Sequence, residues 1–408
     1  MDILIKPFRA SGRIKAQPSK SDAHRKLICA AFSDDACSVE NVIISEDIKA
    51  TLNALKAMGQ FYEYQSSTEE SSGKVSFYGR KGLSAGIMDI NCGESGTTLR
   101  FMAMIAAFLE GEVILNGRGR LPSRPMNHAI DFMRRYDVEC SYPGTGMFLP
   151  MHVKGTARGN YFVMDSSVSS QFLSGILLGM VIAGVSGKVL AEGKFESKGY
   201  VDMTVSVLKD FGADISGKNP FEIRRKKLSG TNCTVEGDWS NSSYFLAMKA
   251  MGAKIEVIGL SPKSQQPDRV ITELLESMSD QQDNFINVGE HPDLMPTLAV
   301  YAATLPVNTT IKGERLRYKE SDRIKAVHEN MQKIGVESIQ LEDGLVIRGN
   351  PEIKGGTIDS FNDHRIAMAF SVLGSISKED IMIRGAECVD KSYPGFFNDL
   401  AKVGGEIL

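Results

Sequence analysis

With 408 residues, 42% of them hydrophobic and 24% charged, and a net charge of −3, the chain has a soluble, globular composition and is too long for one hydrophobic core, so two domains are expected. The balanced charge argues against the broad basic face that tracks nucleic acid, and the longest apolar run, Phe172 to Val185, is too short to span a bilayer and reads as a buried helix. Cys29, Cys37, Cys92, Cys140, Cys233 and Cys388 form no CxxC pair and none lies near a histidine at zinc-site spacing, so free thiols in a reducing compartment are expected, with no metal and no cofactor.

Met1 to Lys15 lacks the apolar stretch of a secretory signal, which points to a cytoplasmic protein. Ile3 to Phe8 reads as a strand without a unit of its own, free to pair with the C-terminal half. Pro18-Ser19-Lys20-Ser21 then leads into an apolar helix, His24 to Phe32. Ser21 is a candidate N-cap, Lys20 reaches a ligand held at the helix start, and Arg25 lies one turn on. The plain alternative is a capped helix with two solvated cations. Ser45 to Met58 is amphipathic, with Ile48, Leu52, Leu55 and Met58 on one face and Gly59 as the stop. The polar run Gln65 to Gly73 reads as an exposed hairpin loop.

Gly93-Glu94-Ser95-Gly96-Thr97-Thr98 is a glycine-bearing turn into the helix Thr97 to Leu109. It suits a phosphate bound through backbone N–H groups, without the lysine of a Walker loop. After the short strand Val113 to Leu115, Ser123-Arg124-Pro125 sits in a segment that also holds Arg118 and Arg120, and arginine suits bidentate capture of carboxylate or phosphate. Ser166 to Gln171 places more hydroxyls than a cap needs before the helix Gln171 to Val185. Lys188 to Leu190 reads as a strand, and Val201 to Phe211 as a helix stopped by Gly212.

The polar stretch Glu236 to Ser240 is the most plausible domain boundary. Beyond it come the helix Tyr244 to Met251, the strand Lys254 to Ile258, and Pro292-Asp293 at the start of the apolar helix Leu294 to Thr304. Lys319-Glu320-Ser321-Asp322-Arg323 opens the amphipathic helix Ser321 to Ile334, whose Ile324, Val327, Met331 and Ile334 share a face before Gly335. A carboxylate flanked by cations at a helix start has a tunable pKa, as general acid–base work requires, although a capping box with surface ion pairs uses the same residues. Asn362-Asp363-His364-Arg365 sends an arginine into the apolar helix His364 to Ser375, and a buried arginine needs an anionic partner. Ile381 to Ile383 reads as a strand, and Phe396 to Val403 as a helix stopped by Gly404.

An all-apolar helix and an amphipathic helix thus recur roughly every 55–75 residues, about six α/β units in all. A helix that is apolar all round must be buried on every side. The polar runs sit at the same place in each unit, at helix starts that favour anions. Together they suggest a small polyanionic ligand.

Taken in order, these motifs resemble the 5-enolpyruvylshikimate-3-phosphate synthase family. The resemblance is carried by Pro18-Ser19-Lys20-Ser21 with Arg25, Gly96-Thr97 with Arg100, Arg124-Pro125, Ser169-Ser170-Gln171, Ser197-Lys198-Gly199-Tyr200, Arg315-Leu316-Arg317 with Lys319-Glu320-Ser321-Asp322-Arg323, Asn362-Asp363-His364-Arg365 and Lys391-Ser392-Tyr393-Pro394. It implies a two-domain inside-out α/β barrel in which each domain has three βαβαββ units, with buried helices and outer sheets. The expected domains are 18–237, and 1–17 together with 238–408, joined by two hinge crossings, with the ligands in a cleft between them that closes to exclude water.

The implied reaction moves the enolpyruvyl group of phosphoenolpyruvate onto the 5-hydroxyl of shikimate 3-phosphate and releases phosphate. By similarity, Lys20, Ser21, Arg25, Ser169, Ser170, Gln171, Ser197, Tyr200, Asp293 and Lys319 contact shikimate 3-phosphate. Lys20, Gly96, Arg124, Gln171, Arg323, Arg365 and Lys391 contact phosphoenolpyruvate. Asp293 takes or orients the 5-hydroxyl proton, and Glu320 and Lys20 share proton delivery and return. The expected partners are these two small molecules, with no nucleic acid and no membrane, and the expected state is a monomer. Gly96 implies inhibition by glyphosate in competition with phosphoenolpyruvate. Two positions depart from the family pattern: Glu94 stands where asparagine is common, needing to point away from a phosphate or to pair with a cation such as Arg100, and Arg315 stands where asparagine often contacts shikimate. The alternative reading is the UDP-N-acetylglucosamine enolpyruvyl transferase, which shares the architecture and the donor. It carries Lys-Asn where this chain has Lys20-Ser21, and a reactive cysteine in the loop that here runs from Gly117 to Arg124 without one.

Overall fold

A computed structural model describes residues 1–67, 72–83, 86–167, 169–193 and 197–408. Part of the expected loop Gln65 to Gly73, and Val168 of the serine run, lie outside the described residues. The helices are α1 (Lys20–Ala31), α2 (Glu46–Ala57), α3 (Gly96–Ala106), α4 (Asn127–Arg135), α5 (Ser170–Ala183), α6 (Lys198–Asp210), α7 (Trp239–Ala250), α8 (Ile271–Ser277), α9 (Met295–Ala303), α10 (Arg323–Lys333), α11 (His364–Ser371) and α12 (Phe396–Lys402). The chain divides into two compact units, one of Lys20–Glu236 and the other of Met1–Ser19 with Gly237–Leu408.

In the first unit, α3 and α5 run through the interior. Every α3 residue but Thr97 is buried, and in α5 only Gln171 and Ala183 are not. The two helices approach closely because α5 carries glycines where they meet. A Cβ on Gly175 would lie 2.8 Å from Met104 Cβ, and one on Gly179 would lie 2.8 Å from Phe108 Cδ2 and 3.0 Å from the Met104 carbonyl. Three sheets wrap this interior. Ile87–Asn91 pairs in parallel with Glu112–Asn116, which pairs antiparallel with Met151–Lys154, and that strand with Glu139–Ser141. Tyr161–Asp165, Gly187–Glu192, Phe221–Arg224 and Asp214–Ser216 repeat the same order. In the third sheet the outer parallel strand is Cys233–Thr234, from the far end of the unit, beside Ala36–Val42, Gly73–Tyr78 and Tyr62–Ser66. Burial alternates along strands such as Ile87–Asn91 and Glu112–Asn116, so one face meets the core and the other meets water.

The second unit repeats the theme. All residues of α9 and of α11 are buried. Asn284–Asn287, Asn308–Lys312, Gly344–Arg348 and Glu337–Gln340 form a sheet of the same order. The N-terminal segment belongs here: Asp2–Ile5 pairs antiparallel with Ile381–Arg384, whose other neighbour is Gly356–Asp359, and Ser11–Lys15 pairs in parallel with Lys254–Ile258. The arrangement in each unit, with apolar helices enclosed by half-exposed sheets, is the inside-out α/β fold.

Several helix starts differ from the sequence reading. α1 begins at Lys20, which puts Ser21 inside the first turn instead of at the cap. α10 begins at Arg323, because the Asp322 side chain accepts from the Lys325 N–H while Ser321 Oγ turns to Asp363. α4 and α8 have no counterpart in the sequence reading. The glycine stops stand: Gly59, Gly212, Gly335 and Gly404 all have φ between 78° and 107°.

Candidate functional site

In the first unit the candidate residues other than Arg124 sit at or near the starts of α1, α3, α5 and α6. Lys20, in the first turn of α1, donates to Asp47 Oδ2 of α2 at 2.8 Å, and both side chains are mostly buried. Arg25 is buried one turn further on. Its guanidinium donates to the Ser21 carbonyl at 2.6 Å, the Tyr200 carbonyl at 2.9 Å and Thr204 Oγ1 at 2.8 Å, and lies over the Phe101 ring at 5.2 Å. Burial pulls its pKa down to about 10. Arg25 therefore ties α1 to α6 and holds the backbone of Tyr200. Ser197, before α6, takes a left-handed conformation at φ 55°, a conformation that costs energy for a residue with a side chain and that recurs at functional sites.

The glycine turn opens directly into α3, with Ser95 as its cap. A Cβ on Gly96 would lie 2.5 Å from Arg124 Nη1, so the guanidinium rests on the bare backbone of the turn. Gln171, in the first turn of α5, bridges to α3. Its Oε1 accepts from Arg100 Nη1 at 2.8 Å and its Nε2 donates to Thr97 Oγ1 at 2.9 Å. Ser169 caps α5 by accepting from the Gln171 N–H at 3.3 Å, and Ser170 is buried beside it. The Glu94 carboxylate lies over Gly119, whose Cβ, if present, would be 2.8 Å from it. The side chain has turned onto the loop between Arg118 and Arg120. Arg100, suggested as a cation for it, donates to Gln171 Oε1.

In the second unit Lys319, Glu320, Arg323 and Arg365 form one charged cluster around Asp293, just ahead of α9. Asp293 Oδ1 accepts from Arg323 Nη1 at 2.7 Å, Oδ2 accepts from Arg365 Nη2 at 3.0 Å, and Lys319 Nζ lies 3.6 Å away. Arg323 is fully buried and also donates to Glu320 Oε2 at 2.8 Å and to Asp363 Oδ2 at 3.0 Å. Burial alone would raise the Asp293 pKa, but Arg365, Lys319 and Arg323 outweigh it and hold the carboxyl well below its usual range. Burial pulls the Lys319 pKa down to about 8, helped by Arg323 and Arg315 and opposed by Asp293. For Arg323, burial opposes the charge, yet Asp363, Asp293 and Glu320 together push its pKa up. Lys391 Nζ donates to the Asn362 carbonyl at 2.8 Å, and Arg315 Nη2 to the Gly289 carbonyl at 3.2 Å.

Each unit thus gathers its own candidate residues: Lys20, Ser21, Arg25, Gly96, Arg124, Ser169, Ser170, Gln171, Ser197 and Tyr200 in one, and Asp293, Lys319, Glu320, Arg323, Arg365 and Lys391 in the other. Sequence reasoning missed Asp47 as the partner of Lys20, for which the sequence holds no local signal. It also missed Asp363, which caps α11 through the Arg365 N–H at 3.0 Å while holding Arg323 and Ser321. Its place immediately before an apolar helix was the available clue. Among the described residues no cluster of three or more His, Cys, Asp or Glu is arranged to hold a metal ion, and no helix is long and apolar enough to cross a membrane.

Comparison with known proteins supplies independent findings. The family model described as EPSP synthase (3-phosphoshikimate 1-carboxyvinyltransferase) matches residues 5–400. The 3-phosphoshikimate 1-carboxyvinyltransferase of Clostridium kluyveri is 37% identical over 424 aligned positions, covering 99% of this chain and 98% of its own. That of Clostridium acetobutylicum is 36% identical, with the same coverage. In fold, the chain is similar to the solved EPSP synthase of Acinetobacter baumannii, with a TM-score of 0.79 at 24% identity over 100% of this chain and 99% of that one.

Proposed function

The chain belongs to the EPSP synthase (3-phosphoshikimate 1-carboxyvinyltransferase) family, and on that premise we propose how its own residues carry out the reaction. It transfers the enolpyruvyl group of phosphoenolpyruvate to the 5-hydroxyl of shikimate 3-phosphate and releases phosphate, in the shikimate pathway toward chorismate and the aromatic amino acids. The UDP-N-acetylglucosamine reading is not favoured.

Shikimate 3-phosphate is held by Ser21, Arg25, Ser169, Ser170, Gln171, Ser197, Tyr200 and Lys319, with the serines and Lys319 on its phosphate. Phosphoenolpyruvate takes Lys20, the Gly96 turn, Arg124, Gln171, Arg323, Arg365 and Lys391. The observation that carries this reading is the Asp293 cluster, in which a carboxylate is clamped by two buried guanidiniums and a lysine of lowered pKa. While Arg323 and Arg365 hold it, Asp293 is a weak base. A multiply anionic donor that draws both guanidiniums toward itself removes that hold, so Asp293 gains basicity only once the donor is bound. It then takes the proton of the 5-hydroxyl as that oxygen adds to C2 and C3 is protonated. The tetrahedral intermediate loses phosphate and a methyl proton. Glu320, bonded to Arg323, and Lys20, bonded to Asp47, share the proton delivery and return. A cytoplasmic monomer completes the proposal. The six free cysteines accord with reducing surroundings, and the monomeric state is carried over from the resemblance.

The test is phosphate release by the purified protein. It is expected with phosphoenolpyruvate and shikimate 3-phosphate together and not with phosphoenolpyruvate alone. Release supported by UDP-N-acetylglucosamine in place of shikimate 3-phosphate would overturn the reading.

A further inference from the structure

We propose that His24 is a positioning residue for the phosphoenolpyruvate turn, heading a buried one-way hydrogen-bond chain that runs through Thr51 and Thr98 to Ser95. The inference rests on the function proposed above. His24 lies on α1 between Lys20 and Arg25, and its Nδ1 is 2.7 Å from Thr51 Oγ1 of α2. Thr51 Oγ1 is 2.7 Å from Thr98 Oγ1 of α3, which donates to Ser95 Oγ at 2.8 Å. Ser95 Oγ also accepts from the Thr98 N–H at 3.2 Å, as the cap of α3. His24, Thr51 and Thr98 are 0% exposed and Ser95 is 1% exposed, so water does not substitute for any link.

The direction of the chain follows from its ends. Thr98 donates to Ser95, so Thr98 accepts from the Thr51 hydroxyl, and Thr51 in turn accepts from an N–H at His24 Nδ1. That tautomer leaves Nε2 bare. Nε2 is buried with no hydrogen-bond partner, and the opposite tautomer would strand an N–H there. Burial first, and then Lys20 and Arg25, hold the ring neutral. Both acceptor sites of Ser95 Oγ are then filled from within the fold, and its position ahead of Gly96 is fixed. Thr51 follows Asp47 by one turn of α2, and Asp47 holds Lys20. The chain therefore keys three helix segments to one another: the one carrying Lys20, the one carrying Asp47 and the turn carrying Gly96. Each link of such a buried chain fixes a distance and a direction where an apolar contact would slide.

Thr51→Val keeps the shape and removes the central link. With both substrates, KM for phosphoenolpyruvate is expected to rise about five- to tenfold, while KM for shikimate 3-phosphate and kcat stay within about twofold. Thr51→Ser restores the hydroxyl and the KM. An unchanged KM for phosphoenolpyruvate overturns the proposal, as do equal rises in both KM values that serine does not rescue. Should Thr51→Val not fold, the ring 15N NMR spectrum of the unaltered protein decides. It is expected to show His24 protonated at Nδ1 and bare at Nε2 throughout the pH range of the folded state, and a protonated Nε2 breaks the chain. An unaltered protein that releases no phosphate with shikimate 3-phosphate defeats the proposed function instead, and leaves the NMR result standing.

Discussion

Three residues carry testable chemistry of their own. Gly96 leaves no room for a methyl, because its Cβ would lie 2.5 Å from Arg124 Nη1. Gly96→Ala must displace that guanidinium, so KM for phosphoenolpyruvate is expected to rise about tenfold, a loss of about 1.4 kcal/mol, with KM for shikimate 3-phosphate little changed. Steady-state kinetics with each substrate varied in turn checks it. Glu320→Gln keeps the shape and a carbonyl acceptor for Arg323, so binding should survive while kcat falls by about 10²-fold or more. Unchanged turnover removes Glu320 from the proton transfers. Lys319, with its pKa near 8, is charged below that pH and loses its proton above it. The charged form is the one that pairs with a phosphate, so kcat/KM for shikimate 3-phosphate should fall about tenfold per pH unit above roughly pH 8. Lys319→Arg, whose guanidinium stays charged, should abolish that limb of the profile.

Among the elements, α3 and α5 depend on Gly175 and Gly179. The neighbours of Gly179 include the Met104 carbonyl at 3.0 Å and the Ile105 Cα at 3.2 Å, and backbone cannot swing aside as a side-chain tip can. Gly179→Ala is expected to cost about 1–3 kcal/mol by overpacking, read as a lower urea midpoint. Because α3 starts at Gly96 and α5 at Ser170, a shift between them also moves the Gln171 bridge to Thr97 and Arg100. Asp363 plays the corresponding part for α10 and α11. One carboxylate caps α11 and also accepts from Arg323 and Ser321, so Arg323 and Arg365, two of the three arginines assigned to phosphoenolpyruvate, share an anchor.

For the molecule as a whole, the connectivity is unequal. Residues Lys20–Glu236 form one continuous unit, and among the described residues its hydrophobic core runs from Ala23 to Val235. That fragment, expressed alone, is expected to unfold in a single cooperative transition. The other unit is discontinuous and needs Met1–Ser19. Deleting that segment strips Asp2–Ile5 from Ile381–Arg384 and Ser11–Lys15 from Lys254–Ile258. Ile381–Arg384 is left as a bare sheet edge and Lys254–Ile258 without its partner strand, and the truncated protein is expected to aggregate on expression. A soluble, cooperatively folding truncation would show that these pairings are dispensable.

The sequence by itself determined which helices are interior and where the anion-seeking residues fall. Helices without a polar face, such as Leu294 to Thr304, have nowhere to go but inside, and the Lys319 to Arg323 run announces its charge without any fold. The glycine stops were legible for the same reason, since a left-handed turn after an amphipathic helix is a local matter. Exact helix starts were not. Ser321 and Asp322 are equally good caps on paper, and only the pull of Asp363 on Ser321 decides between them. The partners of the charged residues were decided by tertiary structure alone. Asp47 meets Lys20 across 27 positions of chain, and Asp293 meets Arg365 across 72. Such pairings depend on how the repeat units stack, and no local pattern of residues encodes them.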